Sequence, residues 1–243
     1  MDKSNFVKEE RHWQSLYKIG GTAAVLAVLT GLIEIAITFL PGGNVTPATV
    51  SDWFALFQTN WFLGLRNLGL LNMLINALGI LIFFALYGAH RQVNQPYAAL
   101  ALILFIVGVA VFYATNRAFS MLDLSHQYAA AVTDRQRMTL AAAGQALLAT
   151  GASHTPGTFL AFFFLEVSGI GMSWVMLRSG VFSRLNAYAG LFGFALLLVY
   201  EISAAFIPAA QNVARLLSIL GGLAVMVWYL LIARRLFRLA QSQ

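Results

Sequence analysis

The sequence predicts an all-α integral membrane protein, a polytopic bundle of about six transmembrane helices. The first observation is composition, because 60% of the 243 residues are hydrophobic and only 10% are charged. A typical soluble domain has about 45–50% apolar and about 25% charged residues. The composition therefore excludes a soluble globular protein and a disordered chain. The absence of cysteine excludes a disulfide scaffold and thiolate metal sites.

Six continuous apolar runs are the second observation. A helix needs about 20 apolar residues to cross about 30 Å of hydrocarbon, and these runs do not alternate as the strands of a membrane barrel do. The first run is longer than the apolar core of a signal peptide, so we expect a retained helix behind a cytoplasmic leader at 1–18. The whole chain 1–243 is expected to form one transmembrane domain. The runs lie at about 19–40, 62–89, 97–114, 158–177, 186–207 and 213–233.

The basic residues predict the orientation. The net charge is +6, and most cations stand at the ends of apolar runs, where lipid headgroups are the expected partner and nucleic acid is not. One side of the membrane would carry ten Lys and Arg residues, including Lys3, Lys8 and Arg11, against only Arg135 and Arg137 in the loops of the other side. The positive-inside rule then places both termini in the cytoplasm.

The extracytoplasmic side is expected to carry two amphipathic pieces. Ser51 is expected to cap a short interfacial helix that ends near Trp61. In the long outer loop at 120–156, Thr133 and Gln136 have the spacing of a capping box, which predicts a second helix. Two interpretations of this second helix stay open, an interfacial connector and a roof over the bundle.

Three acidic residues lie inside the apolar runs, Glu34, Glu166 and Glu201. With about 1.5 Å rise per residue, all three lie at mid-depth or in the outer half of the membrane. An ionised carboxylate at that depth costs about 3 kcal/mol or more. Each carboxylate is therefore expected to face the bundle interior and to have a partner.

Three arginines at the outer helix ends are the predicted partners. A guanidinium pairs with a carboxylate through two parallel hydrogen bonds, so three carboxylates and three guanidiniums are expected to form a neutral network. Asn72 and Asn76 share one helical face below Arg66. The candidate pocket is lined by Glu34, Arg66, Asn72, Asn76, Arg117, Glu166, Glu201 and Arg215.

Several functions are compatible with this pattern. Convergent polar residues without a catalytic motif favour a protein that is not an enzyme. It would bind a lipid, a quinone-like molecule or another amphiphile, or act as an accessory subunit with a membrane-protein partner or a second copy. The alternatives are a purely structural ion-pair network, a small proton-coupled secondary transporter and an intramembrane lipid-acting enzyme with Glu166 or Glu201 as general base. The absence of a proline at mid-depth counts against the transporter, and the missing nucleophile counts against the enzyme.

No cofactor is predicted. Every lysine falls in the first 18 residues, so no apolar run offers a lysine for a retinal Schiff base. No histidine lies within a run, which argues against a haem held by two histidines of this chain. His126 and His154 of the outer loop are expected to be solvated, and a metal site that joins them with Asp123 or Glu166 is the less favoured alternative. No metalloprotease or phosphate-loop motif occurs.

Two segments between the runs resemble a known family. They are 85–94 (ALYGAHRQVN) and 177–186 (LRSGVFSRLN), and the outer loop at 124–148 adds to the likeness. Together they resemble the bacterial membrane family known as "domain of unknown function 4386", over about 17–237. Ser183 and Asn186 stand where many members have Pro and Gly. The resemblance implies a multi-pass bundle in the bacterial inner (plasma) membrane, and it implies no activity.

Overall fold

The fold is given by a computed structural model that describes residues 3–43, 45 and 47–241, with backbone only for 3–11, 208, 211 and 212. The side chains of Lys3, Lys8 and Arg11, which support the predicted orientation, lie outside the described residues. All regular structure in the described ranges is helical. The helices are α1 (Lys3–Phe39), α2 (Val50–Thr59), α3 (Trp61–Asn67), α4 (Leu70–His90), α5 (Gln95–Thr115), α6 (Ala118–Ala130), α7 (Asp134–Gly151), α8 (Phe159–Ser179), α9 (Arg184–Phe206) and α10 (Gln211–Leu239), with a 3-10 turn at Pro208–Ala210.

Among the described residues, six helical segments are long and apolar enough to cross a membrane. They belong to α1, α4, α5, α8, α9 and α10, and the third segment continues from α5 into α6. Each of the six helices packs against the next in this order, and α10 packs against α1 again, so that the six helices form a closed arrangement that we call the ring. Apolar side chains such as Leu100, Ile103 and Ile106 of α5 point outward, as expected for a surface covered by lipid. The predicted all-α class is confirmed for the described residues, as is the number of helices that are long and apolar enough to span a membrane.

Large side chains fill the ring toward the end at which α1 begins and α10 finishes, which we call the termini end. Phe83 stacks on Phe105 with ring centroids 4.0 Å apart, and Trp228 meets the edge of Phe194 at 4.9 Å. Trp228 is fully buried. Interlocking aromatic rings bury large apolar areas and hold specific geometries, so they make this half of the bundle a solid core.

Four short helices, α2, α3, α6 and α7, form a second unit at the opposite end, which we call the cap. Thr49, and not Ser51 as predicted, caps the start of α2. Its hydroxyl accepts a hydrogen bond from the backbone N–H of Asp52, and the Asp52 carboxylate accepts one from the backbone N–H of Thr49, which completes a capping box. The predicted capping box of Thr133 and Gln136 is confirmed at the start of α7. The buried residues of the cap form their own apolar cluster, Val50, Trp53, Phe54, Phe57, Leu65, Leu68, Ala118 and Met121.

The predicted second run, 62–89, is not one helix. The chain breaks between α3 and α4, where Gly69 has a φ of 95°, a left-handed conformation that glycine adopts without steric cost. The side-chain amide of Asn116 donates to the carbonyl of Leu68 at 2.7 Å and satisfies one of the backbone groups that the break frees. The break separates α3 from the ring and places it in the cap. The leader, in contrast, is helical from Lys3 onward as the first part of α1.

Candidate functional site

One buried arginine joins the cap to the ring. The Nη2 atom of Arg66, on α3, lies 2.6 Å from the Oε1 atom of Glu34, on α1, and also donates to the hydroxyl of Thr38 and to the Glu34 carbonyl. The Nη1 atom donates to the carbonyl of Gly43 and to the Oδ1 atom of Asn67, both at 3.0 Å. The side chain of Arg66 is only 7% exposed. Its charge is therefore compensated within the protein, and it fixes the end of α1 against α3.

A cavity of about 240 Å³ lies in the centre of the ring, and we call it the deep cavity. All six ring helices contribute to its wall. Glu166 of α8 is 8% exposed, Glu201 of α9 is 2% exposed and Asn76 of α4 is 8% exposed. One carboxylate oxygen of each glutamate (Oε2) and the Nδ2 atom of Asn76 are buried and make no hydrogen bond. Buried polar atoms usually have a partner, so these three atoms need an explanation.

His154 stands at the entrance of the deep cavity. Its Nδ1 atom lies 2.5 Å from the Oε1 atom of Glu201, and its ring packs between Phe162 and Tyr200, with centroid distances of 4.7 and 4.9 Å. The prediction that His154 is a solvated loop residue is therefore wrong. Its φ is 59°, so the loop before α8 turns the imidazole inward. Across the described residues, His, Asp and Glu side chains form no group of three that could hold a metal ion.

A second cavity, of about 580 Å³, lies between the cap and the ring, and we call it the vestibule. Glu34 and Arg66 line it from one side, and residues of the loop before α8 line it from another. Asn72, His154 and Tyr200 line both the vestibule and the deep cavity. The two cavities therefore meet at these three side chains.

The structure brings together six of the eight predicted pocket residues. Glu34 and Arg66 line the vestibule, and Asn76, Glu166 and Glu201 line the deep cavity, with Asn72 on both. The other two residues are elsewhere. The guanidinium of Arg117 donates to the carbonyl of Ala114 at 2.7 Å, at the end of α5, and Arg215 is exposed on α10.

The predicted neutral network of three carboxylates and three guanidiniums therefore does not form. Glu34 has its arginine, but in the part of the chain that the structure describes neither Glu166 nor Glu201 pairs with an arginine or a lysine. Arg117 does not reach them because a nearby helix end offers it a carbonyl acceptor, an arrangement that suits a cation at the negative end of a helix. The deep cavity holds two carboxylates with one imidazole.

Sequence reasoning missed three side chains of the site, His154, Tyr200 and Tyr229. Tyr200 and Tyr229 both line the deep cavity. The position of Tyr200 directly before Glu201 was an available signal, because neighbours on a helix lie about 100° apart and share part of a wall. For His154 no local signal exists, since 47 residues separate it from Glu201.

Comparison of the chain with known protein families, with curated proteins and with solved structures finds no match. The resemblance to "domain of unknown function 4386" stays a prediction.

Proposed function

We propose that this chain is a membrane-embedded binding protein, not an enzyme, and that it holds the polar head of a small amphiphile in the deep cavity. The observation that carries the proposal is the group of unpartnered, buried polar atoms of Glu166, Glu201 and Asn76 around one cavity. A wall that is mostly apolar with a few convergent polar groups is typical of a small-molecule site. The deep cavity alone is small for such a ligand, whose sites usually measure about 300–1,000 Å³. The remainder of the molecule would lie in the vestibule.

We further propose that the protein is a multi-pass protein of the bacterial inner membrane with its termini end in the cytoplasm. The distribution of Lys and Arg supports this orientation. At the termini end the guanidinium carbon of Arg91 lies 4.3 Å from the ring centre of Trp13, and that of Arg178 lies 4.9 Å from the ring centre of Trp174. Paired cations and tryptophans are typical of a membrane interface. The vestibule would then open to the extracytoplasmic side.

Native mass spectrometry of the gently extracted protein tests the binding function. A Cβ atom built on Gly222, on the wall of the deep cavity, meets no other atom within 4 Å. Gly222→Ala therefore adds a Cβ atom without a steric clash, and Gly222→Val and Gly222→Leu add further bulk at the same position of the wall. We expect a co-purifying small molecule to be lost progressively across this series. The control Ala110→Leu adds three carbon atoms, as Gly222→Val does, at an exposed position of α5 and should leave the bound mass unchanged. Equal retention in all four variants would contradict a ligand in the deep cavity.

A second candidate function is a proton-coupled carrier. The specific observation in its favour is that the vestibule and the deep cavity lie in series and meet at His154, next to Glu201. Protonatable residues inside a bundle often carry protons in transporters. Reconstitution in liposomes separates the two functions. A carrier shows a proton-dependent flux that Glu166→Gln abolishes, whereas a binding protein shows a bound ligand and no flux.

A further inference from the structure

We infer that the head held in the deep cavity is a cation, a protonated amine, and that Glu166 and Glu201 are its counter-ions. This inference deepens the proposed binding function and rests on it, since it takes the deep cavity as the ligand site. It names the chemical class of the ligand from the charges and the hydrogen-bond atoms of the cavity wall.

The charge of the wall is the first argument. Two carboxylates face the deep cavity, and its described wall contains no arginine or lysine. Arg66, which lines the adjoining vestibule, is already paired with Glu34. An ionised carboxylate in a low-dielectric interior requires a positive partner or a proton. A cationic ligand supplies that partner, and an anionic head would add a third negative charge.

The unused hydrogen-bond atoms are the second argument. An ammonium group donates three hydrogen bonds and accepts none. The Oε2 atoms of Glu166 and Glu201 are two free acceptors. The amide of Asn76 offers a third, because rotation of the amide by half a turn exchanges its unpartnered Nδ2 atom for the carbonyl oxygen. Three acceptors on three helices match the donor number of one primary amine.

The aromatic residues of the wall are the third argument. Phe162, Tyr200 and Tyr229 line the same cavity as the two carboxylates. The face of an aromatic ring attracts a cation within about 6 Å, and the attraction is larger where water is excluded. Of the two carboxylate oxygens of Glu201, only Oε1 contacts His154, so the Oε2 atom stays available to the ligand. Carboxylates and aromatic faces together favour an ammonium head over a hydroxyl or a quinone carbonyl.

The test uses the full chain in lipid nanodiscs and four probes with the same ten-carbon tail, namely decylamine, decanol, decanoate and decyltrimethylammonium. Affinities are measured at neutral pH by competition against a radiolabelled decylamine and corrected for partition into protein-free nanodiscs. We expect decylamine to bind at least about tenfold more tightly than decanol, and decanoate not to bind. Decyltrimethylammonium, which cannot donate hydrogen bonds, should bind more weakly than decylamine.

Variants connect this selectivity to the two carboxylates. Glu166→Gln and Glu201→Gln should each weaken decylamine at least about tenfold and leave decanol unchanged, so that selectivity for the cation is lost. The matched control is Asp123→Asn, which removes an exposed carboxylate of α6 outside both cavities and should preserve the selectivity. Gly222→Leu should weaken the binding of all probes alike, because it fills the cavity without changing any charge. It provides a second test of the cavity if a Gln variant does not fold.

Two outcomes would overturn the inference in distinguishable ways. If decanol or decanoate binds as tightly as decylamine, and Gly222→Leu still removes it, the deep cavity is a ligand site but not a cation site. If no probe binds above the protein-free nanodisc, both the inference and the proposed binding function are wrong.

Discussion

The contacts of Arg66 with Glu34, Thr38, Gly43 and Asn67, which we call the Arg66 cluster, and the deep cavity place carboxylates in two different environments. Glu34 has a guanidinium from the cap at 2.6 Å, so its charge is neutralised by the protein itself. Glu166 and Glu201 line the deep cavity, and neither pairs with a described arginine or lysine, although all three glutamates have a buried Oε2 atom without a hydrogen-bond partner. The difference indicates that a carboxylate paired with a guanidinium of the cap has a structural role, whereas a buried carboxylate without a cation is the one that a ligand would have to neutralise.

Removing the structural pair should produce the largest loss of stability. Arg66→Ala leaves Glu34 without its cation and leaves the carbonyl of Gly43 without its donor. Breaking a buried ion pair costs about 3–5 kcal/mol, and we expect the lower end because the side chain of Glu34 is 37% exposed. Unfolding by denaturant in detergent measures the change.

The matched control for this prediction is Arg117→Ala. The guanidinium of Arg117 makes one described hydrogen bond, to the carbonyl of Ala114. Its loss should cost about 1 kcal/mol. Equal losses for Arg66→Ala and Arg117→Ala would contradict the view that the Arg66 cluster holds the cap on the ring.

A pair of glycines distinguishes packed space from open space inside the ring. A Cβ atom on Gly193 would lie 3.0 Å from the backbone nitrogen of Val225 and 2.9 Å from its Cγ2 atom, whereas a Cβ atom on Gly222 meets nothing within 4 Å. Gly193→Ala should therefore force α9 and α10 apart and cost about 1–3 kcal/mol. Gly222→Ala should leave the free energy of unfolding unchanged or raise it by about 0.5 kcal/mol or more, through helix propensity. A loss as large as that of Gly193→Ala would show that the deep cavity is closed in the membrane.

The sequence predicts the ring better than it predicts the site. Run length and hydropathy identify the six spanning helices, because a membrane accepts little else at that length. The break at Leu68 and Gly69 is missed because Leu68 is as apolar as the run on either side, although it packs in the cap. The depth of Glu166 follows from counting residues. The partner of a carboxylate does not follow from counting residues, because pairing depends on the rotation of each helix about its axis and on where the cap places Arg66.

The contact between His154 and Glu201 connects the two regions, and its removal should have a moderate effect. His154→Ala removes the only described donor to the Oε1 atom of Glu201, so we expect a loss of about 1 kcal/mol. The control His126→Ala changes an exposed histidine of α6 and should have no effect. A double-mutant cycle with Glu201→Gln isolates the pair. Additive losses would show that the two side chains do not interact.

The smallest expected effect concerns a carboxylate in a third environment, the exposed Asp52 of α2. The hydroxyl and the backbone N–H of Thr49 donate to it and hold the pKa of Asp52 below its ordinary value of 3.8. A carboxyl whose pKa is lower in the folded state contributes stability above the unfolded pKa and loses it as the pH falls through the folded pKa. Acid should therefore loosen the start of α2.

Hydrogen exchange of the first-turn amides of α2 measures this effect as a protection factor at each pH. We expect protection of the Asp52 and Trp53 amides to decline as the pH falls below 3.8, and Asp52→Asn to show lower protection that no longer depends on pH. The capping box of α7 is an internal control, because its closing side chain is the uncharged Gln136 and its two hydrogen bonds do not titrate. A decline that persists in Asp52→Asn would locate the acid-sensitive group elsewhere. A simultaneous decline in the ring amides would show that the cap and the ring unfold together.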